Sequence, residues 1–463
     1  MLAKPNAVAS PDEARRFLDA NPAVEFVEMI FTSLSGVPRG KRLRRHEVMP
    51  IYEMGRFLPG SILVTDVTGQ DCTDTGLVWE DGDADRIAKP APGTLVLAPW
   101  LGGHAAQVIT SLYELDGTPS DLDPRHVLAR VMDRFAADGL VPVVACELEF
   151  YLTDPVRTAD GGVQLALPLK GGERPHLHGV YGLRELEDFA AFLDSLWADA
   201  DIQGIPLESA ISEYAPGQFE LTLKHRDDAL RAADEAAMYK RLVKGVAARN
   251  GCEATFMAKP FGDRAGSGLH LHVSINDAKG NNIFASEDPS GSSRLHHAVG
   301  GLKETLADSM AIFAPNANSY RRFKANSYAP VACAWGINNR TVALRVPAGP
   351  AKSRHIEHRV AGADANLYLA LAVLLAGVHH GLSGKIDPGP PTVGDGYAAA
   401  AKAHEHLPAN WFASVDRFEQ SRLMRDYLGS RFVDMFTSVK RTEQDRFNEV
   451  ISPLDYDWYL KNA

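Results

Sequence analysis

Five acidic and imidazole side chains lie on three short segments whose other residues are largely apolar. They are Glu147, Glu149, Glu213, Glu220 and His270. Carboxylates are rarely buried without a partner, and a divalent cation is a natural partner for several of them together. The pattern therefore indicates metal-dependent phosphate chemistry.

The spacing of these residues suggests how they meet. On a strand, residues two apart share a face, so Glu147-Leu-Glu149 presents two carboxylates side by side, and His270-Leu-His272 presents two imidazoles. Pro216-Gly217 predicts a tight turn that brings Glu213 and Glu220 together. Each motif alone is weak, because a solvated strand face, a hairpin with surface acids or a structural histidine pair gives the same pattern. A further pair, His176-Leu-His178, is interpreted as incidental surface histidines.

Basic residues form a third element, and they follow the histidine segment in the chain. They are Arg321, Arg322, Arg340, Arg345, Lys352, Arg354 and Arg359, with Glu357 among them. Arginine binds phosphates and carboxylates through two hydrogen bonds at once. Arginines facing carboxylate-bound metals are the layout of a phosphoryl-transfer site, although surface ion pairs would explain some of them.

The surrounding pattern predicts an α+β chain. Residues 116–124 are predicted to form a linker. Before it, strand-like runs occur at 24–32, 62–67, 77–79, 94–98 and 106–113. Asp123-Pro124 predicts a helix N-cap followed by proline at the first helical position. We therefore expect a small N-terminal domain over 1–115 and a larger domain over 125–463. The glycine- and proline-rich residues 154–180 are expected to form a surface excursion.

Composition narrows the class of protein. The 463 residues carry a net charge of −11, which disfavours nucleic acid as a partner. Four scattered cysteines fit a reducing cytoplasm better than a disulfide framework. The apolar run from Ala365 to Val378 is shorter than the roughly 20 residues of a membrane span, so a buried helix and no membrane association are expected.

Taken together, these segments resemble the glutamine synthetase superfamily, from about Val24 to the C-terminus. The resemblance implies a β-grasp-like N-terminal domain and a catalytic domain with an antiparallel sheet flanked by helices. It also implies ATP, two or three Mg²⁺ or Mn²⁺ ions, glutamate as substrate and a γ-glutamyl phosphate intermediate that an amine attacks. Family members assemble as two stacked rings, so a homo-oligomer, expected to be a dodecamer of two hexamers, is implied.

The resemblance also implies residue roles. Glu149, Glu213 and Glu220 match the ligands of one metal ion, and Glu147, His270 and Glu357 match those of a second. Arg322 and Arg359 match residues that hold the glutamate carboxylates, and Arg340 matches one that stabilises the transferring phosphoryl group. The nucleotide side is matched by Ser274, Arg345, Lys352, Glu208 and His272.

Two departures from the ammonia-using members bear on the substrate. Tyr328 stands where those members have a glutamate over the site, and Leu58-Pro59 stands where they have an aspartate. A pocket without these acids holds ammonium poorly and favours an amine with a carbon tail. The run Asn326-Ser-Tyr-Ala-Pro330 is similar to the γ-glutamylputrescine synthetase branch. A glutamate–amine ligase acting on a polyamine, an alkylamine or an amino alcohol is therefore expected.

Two alternatives stay open from the sequence. An ordinary glutamine synthetase would need other acids, such as Glu53 or Asp66, to restore the ammonium site. A non-catalytic structural or regulatory relative would be expected to have lost metal ligands, and none of the six positions is lost. Two smaller departures are His355, where an arginine is usual, and Arg264-Ala265 in the glycine loop, where an asparagine is usual.

Overall fold

A computed structural model describes residues 7–400 and 406–463 of the chain. Two separate sheets organise it. The small sheet is built from six strands, β1 (Phe26–Thr32), β2 (Pro38–Arg44), β3 (Arg56–Pro59), β4 (Asp85–Pro90), β5 (Val96–Leu97) and β6 (Ala105–Tyr113). Its order is β2-β1-β6-β4-β3, with β5 also on β6. Strands β1 and β6 are parallel, and the other pairs are antiparallel.

The sequence prediction for the small sheet is only partly right. Strands β1 and β6 are confirmed, but the predicted strands at 62–67 and 77–79 are wrong. Residues 62–63 end a 3₁₀ helix that is followed by irregular backbone, and residues 77–79 form a turn. Asp66 explains the first error: its Oδ1 accepts hydrogen bonds from the backbone N–H groups of Thr68, Gly69 and Gln70 at 2.8–2.9 Å. Such local bonds give the backbone an alternative to a strand ladder.

The large sheet carries the acidic and imidazole residues. Its strands are β7 (Leu140–Thr153), β8 (Leu207–Ser212), β9 (Gln218–Leu223), β10 (Glu253–Thr255), β11 (Leu269–Asp277), β12 (Trp335–Ile337), β13 (Leu344–Val346) and β14 (Ile356–His358). They run in the order β12-β13-β14-β11-β7-β9-β8, with β10 on β7, and every pair except β12 and β13 is antiparallel. The predicted α+β fold class is confirmed.

Strand β7 shows how the large sheet divides its two faces. Val144, Cys146, Leu148 and Phe150 are buried, while the alternate residues, including Glu147 and Glu149, are only partly covered. The sheet therefore has one face in the core and one open face. The predicted strand and the shared face of the two glutamates are confirmed.

Fourteen helices complete the described part of the chain. They are α1 (Pro11–Ala20), α2 (Arg45–Met54), α3 (Pro124–Ala137), α4 (Leu183–Asp188), α5 (Ala190–Gln203), α6 (Ala229–Arg249), α7 (Ser293–Leu306), α8 (Met310–Phe313), α9 (Leu367–Gly384), α10 (Gly396–Ala400), α11 (Trp411–Gln420), α12 (Arg422–Leu428), α13 (Ser430–Asn448) and α14 (Pro453–Tyr459). Helix α3 begins as predicted, since the Asp123 side chain accepts from Arg125 N at 2.9 Å. The other Asp123 oxygen accepts from Leu112 N at 2.7 Å and ties the helix to β6.

Helix α9 is the centre of the helical core. It is long and apolar enough to cross a membrane, but 83% of its 18-residue window is buried within the protein, so the predicted buried helix is confirmed. Helix α7 packs on it through glycines: a Cβ at Gly301 would lie 2.3 Å from both Gly377 O and Gly381 N. The two helices therefore approach with almost no side-chain spacer, which fixes the core beneath the large sheet.

Candidate active site

The register of the large sheet brings the predicted site residues together. Glu147 is paired with His270 across β7 and β11, and Glu149 is paired with Glu220 across β7 and β9. His272 on β11 is paired with Glu357 on β14. Because directly opposed residues on one face lie about 5 Å apart, four strands assemble one cluster on the open face.

His270 lies in the middle of this cluster. Its Nδ1 is 3.4 Å from Glu147 Oε2 and 4.0 Å from both Glu220 Oε2 and Glu357 Oε1. Its Nε2 is 3.9 Å from Glu149 Oε1. One imidazole thus faces four carboxylates from three other strands.

Three groups of residues each have ligand atoms within 4.8 Å of one another, which is close enough to share an ion. They are Glu149 with Glu213 and Glu220, Glu147 with Glu220 and His270, and Glu147 with His272 and Glu357. The first group contains the same residues as the first predicted metal site. The second predicted site is divided over the other two groups, and His272, predicted on the nucleotide side, lies 3.1 Å from Glu147 Oε1.

Glu149 is oriented by two donors that the sequence analysis did not identify. The Gln218 side-chain amide donates to its Oε2 at 2.9 Å, and the Gly268 N–H donates to the same oxygen at 2.8 Å. Oε1 is left to face the cluster. Gln218 lies two residues before Glu220 on β9. The period of two that grouped Glu147 with Glu149 could therefore have placed Gln218 on the same face as Glu220.

Glu213 depends on the turn that carries it. This turn is held by Glu185 of α4, which accepts from Ser212 Oγ at 2.6 Å and from the Gly217 N–H. Glu213 N donates to Gln218 O at 2.9 Å and closes the reversal. The predicted convergence of Glu213 and Glu220 across a Pro-Gly turn is confirmed.

The carboxylates of the cluster repel one another in a poorly solvated place. Burial and the charge of Glu149 raise the pKa of Glu213 to about 7, and burial with the neighbouring carboxylates raises the pKa of Glu220 to about 10. Burial also opposes ionisation of Glu147, but hydrogen bonds from His270 and His272 outweigh it and hold its pKa well below the usual range. A bound cation would remove this repulsion.

The donor set fits divalent metal ions. Glutamate oxygens suit Mg²⁺ and Mn²⁺, and imidazole suits the softer of the two. The raised pKa values of Glu213 and Glu220 show that these two carboxylates need a positive charge to ionise together. The residues present could therefore hold divalent cations.

Three arginines border the cluster. Arg359 and Arg345 both form ion pairs with Glu357, the latter at 2.7 Å. Burial favours the protonated form of Glu357, but the charge of Arg359 and of the nearby histidines lowers its pKa to about 2. Arg322 is buried, and its Nη1 donates to Val360 O at 3.0 Å.

The glycine loop before β11 fits tightly around Arg322. A Cβ at Gly268 would lie 3.1 Å from Arg322 Nη2, 3.3 Å from His270 Nε2 and 3.4 Å from Glu149 Oε1. Gly268 therefore lies where the arginine, the imidazole and the carboxylate converge. Its lack of a side chain is what allows the three groups to approach.

Comparison with known proteins agrees with this geometry. The family model described as glutamine synthetase, catalytic domain, matches residues 121–459. The chain belongs to the glutamine synthetase family. It is accordingly an enzyme of the ligase type, and the non-catalytic alternative is set aside.

Individual relatives within the glutamine synthetase family refine the comparison. The chain is 36% identical to gamma-glutamylputrescine synthetase PuuA of Escherichia coli over 98% of this chain and 96% of that protein. It is 32% identical to glutamate–isopropylamine ligase of a Pseudomonas species, over 94% and 95%. A solved structure titled as a complex of GmaS with ADP matches with a TM-score of 0.83 and 26% identity, over 98% of this chain and 100% of that one.

Several residues matched to glutamine synthetase positions lie apart from the cluster. Ser274 lies on the same strand as His270 and His272 and is half-buried. Exposed side chains occur at Arg340, Tyr328, Lys352 and Glu208, and among the residues described no ion pair or side-chain hydrogen bond joins them to the cluster. Their roles stay predictions.

The two positions that depart from glutamine synthetase differ in what they present. Tyr328 is 60% exposed with a φ of +57°, so its ring is displayed on a tight loop. Leu58 is fully buried in the small-sheet core, so its side chain is not presented at the surface. The exposed apolar groups of that strand are Phe57 and Pro59.

Proposed function

We propose that this enzyme joins the γ-carboxylate of glutamate to an amine that bears a carbon tail, at the expense of ATP. The products are a γ-glutamylamide, ADP and phosphate. The observation that carries the proposal is the complete acidic cluster beside Arg322 and Arg359, combined with an amine side that has lost its acids. Relatives named for putrescine and isopropylamine support it.

The proposed reaction has two steps. A γ-carboxylate oxygen of glutamate attacks the terminal phosphorus of ATP, and ADP leaves, which gives γ-glutamyl phosphate. The amine nitrogen then attacks the acyl carbon, phosphate leaves, and the amine loses a proton. Both steps develop negative charge on phosphoryl oxygens, which fixed cations stabilise.

The chain's own residues divide this work. Arg322 and Arg359 would hold the glutamate carboxylates, and Arg340 would approach the transferring phosphoryl group. Ser274, Arg345, Lys352, Glu208 and His272 would contact the nucleotide. Metal ions held by Glu147, Glu149, Glu213, Glu220, His270 and Glu357 would neutralise phosphate charge.

The proposed amine preference is supported by the way Asp66 is used. Asp66 was one of the two acids named as replacements, and it is 1% exposed and forms an ion pair with Arg446. Its Oδ1 already accepts from three backbone N–H groups and the Thr68 hydroxyl. Asp66 is therefore engaged in its own loop and with Arg446, and its buried carboxylate is poorly placed to receive ammonium.

Assembly is also proposed from the family. A dodecamer of two hexameric rings in the cytoplasm would place the small sheet of one subunit beside the cluster of the next. Helix α14 supports an oligomer because it exposes Leu454, Tyr456, Trp458 and Tyr459, each more than half exposed. Apolar side chains clustered in this way usually cover another surface.

The test is phosphate release from ATP with Mg²⁺ and glutamate, comparing ammonium with putrescine, spermidine, ethanolamine and isopropylamine. We expect turnover with one of the carbon-bearing amines and little with ammonium. Turnover with ammonium alone would show an ordinary glutamine synthetase. Glu149→Ala is the matched inactive control, and it should abolish phosphate release with every amine.

A further inference from the structure

A cavity of about 350 Å³ lies between the small sheet and the helical core. One wall is the turn between β1 and β2, from Ser35 to Pro38, and the opposite wall is formed by α6 and the start of α9. The turn is anchored to α9 because Asn366 Nδ2 donates to Ser33 O at 3.0 Å. The volume is in the range of pockets that take small organic molecules.

The walls of this cavity are largely apolar. They include Val37, Pro38, Phe256, Met257 and Leu367. A ligand that fills the cavity would therefore need an apolar body.

Two lysines give the cavity an unbalanced positive charge. Lys240 and Lys244 lie one turn apart on α6, and both line the cavity. Across the described ranges 7–400 and 406–463, neither has a carboxylate within ion-pair distance. Lys240 Nζ donates to Ala363 O at 2.7 Å, and the side chain of Lys244 has no hydrogen-bond partner there. Burial, reinforced by the charge of Lys244 and opposed by that of Asp364, lowers the pKa of Lys240 to about 8.

The other two cations that line the cavity are already paired with carboxylates. Arg241 contacts Glu28 at 2.6 Å, and Lys440 contacts Glu443 at 2.8 Å. Asp364 Oδ2 accepts from Asn316 Nδ2 at 2.8 Å. The groups that donate to Asp364 are neutral, so its charge offsets one of the two α6 lysines. A net positive charge remains, and an anion is the ligand that would balance it.

One wall of the cavity is shared with the candidate active site. Asp364 Oδ2 also accepts from Ser319 Oγ at 2.6 Å, and Ser319 opens the 3₁₀ turn that ends at Arg322. A ligand that contacts Asn316 or Asp364 would press on the same turn. The cavity is thus linked, through this hydrogen bond and the backbone of the turn, to an arginine proposed to hold glutamate.

We propose that this cavity binds a small organic carboxylate with an apolar body, and that binding changes the affinity of the enzyme for glutamate. The carboxylate would pair with Lys240 and Lys244, and the apolar body would pack against Phe256 and Leu367. The effect on glutamate rests on the proposed function, whereas binding itself does not.

Binding is tested on the full-length protein by ligand-observed NMR and titration calorimetry. The probes are 3-phenylpropionate and 4-methylpentanoate, each compared with its uncharged primary amide. We expect the carboxylates to bind at millimolar concentrations and the amides to bind much more weakly. Lys244→Ala should weaken carboxylate binding on the order of tenfold, because it removes one charged partner.

Lys279→Ala is the matched control, since Lys279 is exposed on the turn after β11 and does not line the cavity. Lys240→Met is a second test variant. If it fails to fold, the Lys244→Ala variant still tests the proposal, because Lys244 is exposed. Absence of carboxylate binding would overturn the proposal. So would equal binding by Lys244→Ala and wild type, or equal binding of acid and amide.

The link to glutamate has its own readout. If the cavity is coupled to Arg322, the carboxylate should change KM for glutamate in the wild type and not in Lys244→Ala. Binding without any change in KM would refute the proposed effect on glutamate affinity, and the proposed binding site would stand. Failure of all ligase activity would refute the proposed function but would leave the binding result standing.

Discussion

The glycine loop before β11 offers a graded test of how tightly the active site is built. Gly262, Gly266 and Gly268 lie within seven residues of one another, and none has a positive φ, so alanine suits the backbone at each. They differ in what a methyl group would meet. At Gly262 it would meet nothing within 4 Å, while at Gly268 it would meet three site atoms at 3.1–3.4 Å.

The expected magnitudes follow from these distances. Gly268→Ala should displace Arg322, His270 and Glu149 by a few tenths of an ångström, which we expect to lower kcat/KM roughly tenfold, or about 1.4 kcal/mol. At Gly266 the methyl would lie 2.4 Å from Arg322 Cγ and 2.7 Å from Ala258 O. A displacement near 1 Å should cost roughly 100-fold. Gly262→Ala should stay within about twofold of wild type, because it moves nothing.

The assay is steady-state phosphate release with glutamate and the preferred amine, with melting temperatures measured for all three variants. The series must rank Gly262, Gly268, Gly266 in rising cost while Gly268→Ala keeps a wild-type melting temperature. Equal kinetics for Gly262→Ala and Gly268→Ala would refute the claim that the loop fixes the position of Arg322. A loss of activity that only follows a loss of folding would also refute it.

Four further results are expected. In EDTA the melting temperature should fall as pH rises from 7 to 9. The raised pKa of Glu220 makes the folded state hold a proton that the unfolded state releases near the ordinary pKa of 4.5. Glu220→Gln or added Mg²⁺ should reduce this dependence of the melting temperature on pH. Gly301→Ala should destabilise the protein by about 2–3 kcal/mol in denaturant unfolding, because its methyl overlaps Gly377 O, and an unchanged midpoint would contradict the helix contact. Tyr328→Glu should raise turnover with ammonium relative to the preferred amine, and an unchanged ratio would show that Tyr328 does not set the preference. A chain ending before Ile451 should elute as a smaller species in size-exclusion chromatography with light scattering, whereas an unchanged mass would exclude α14 from the assembly.

The large sheet shows what a local pattern can predict. Alternation along β7 was sufficient to place Glu147 and Glu149 on one face, because a strand has a fixed period of two. It could not tell which residue of β11 would stand opposite Glu147, since register depends on contacts between residues more than 100 positions apart. The family resemblance implied only that Glu147 and His270 bind the same metal ion, and in the sheet the two residues are directly opposed.

The small sheet shows where local pattern misleads. Residues 62–67 read as a strand because their apolar side chains are buried, yet Leu63 and Val64 are buried at the end of a 3₁₀ helix. A short run of apolar residues predicts that the segment is buried, but it does not predict whether the segment is a strand. The Asp66 carboxylate accepts from three N–H groups that follow it and so holds the end of this run in a loop. A sequence pattern based on apolar residues does not take such a side chain into account.

Asp66 also carries the argument about substrate. Counted by residue type, it is an acid near the position where an ammonium-binding acid is missing, and the sequence alone leaves it available. In the structure, the same carboxylate accepts hydrogen bonds from the backbone of the loop that follows it and forms an ion pair with Arg446. A carboxylate oxygen that accepts several backbone N–H groups would have to give up some of those hydrogen bonds to bind a small cation. The proposed preference for a carbon-bearing amine therefore rests on the engagement of Asp66 in its loop, and on the exposed Tyr328 standing where glutamine synthetases have a glutamate.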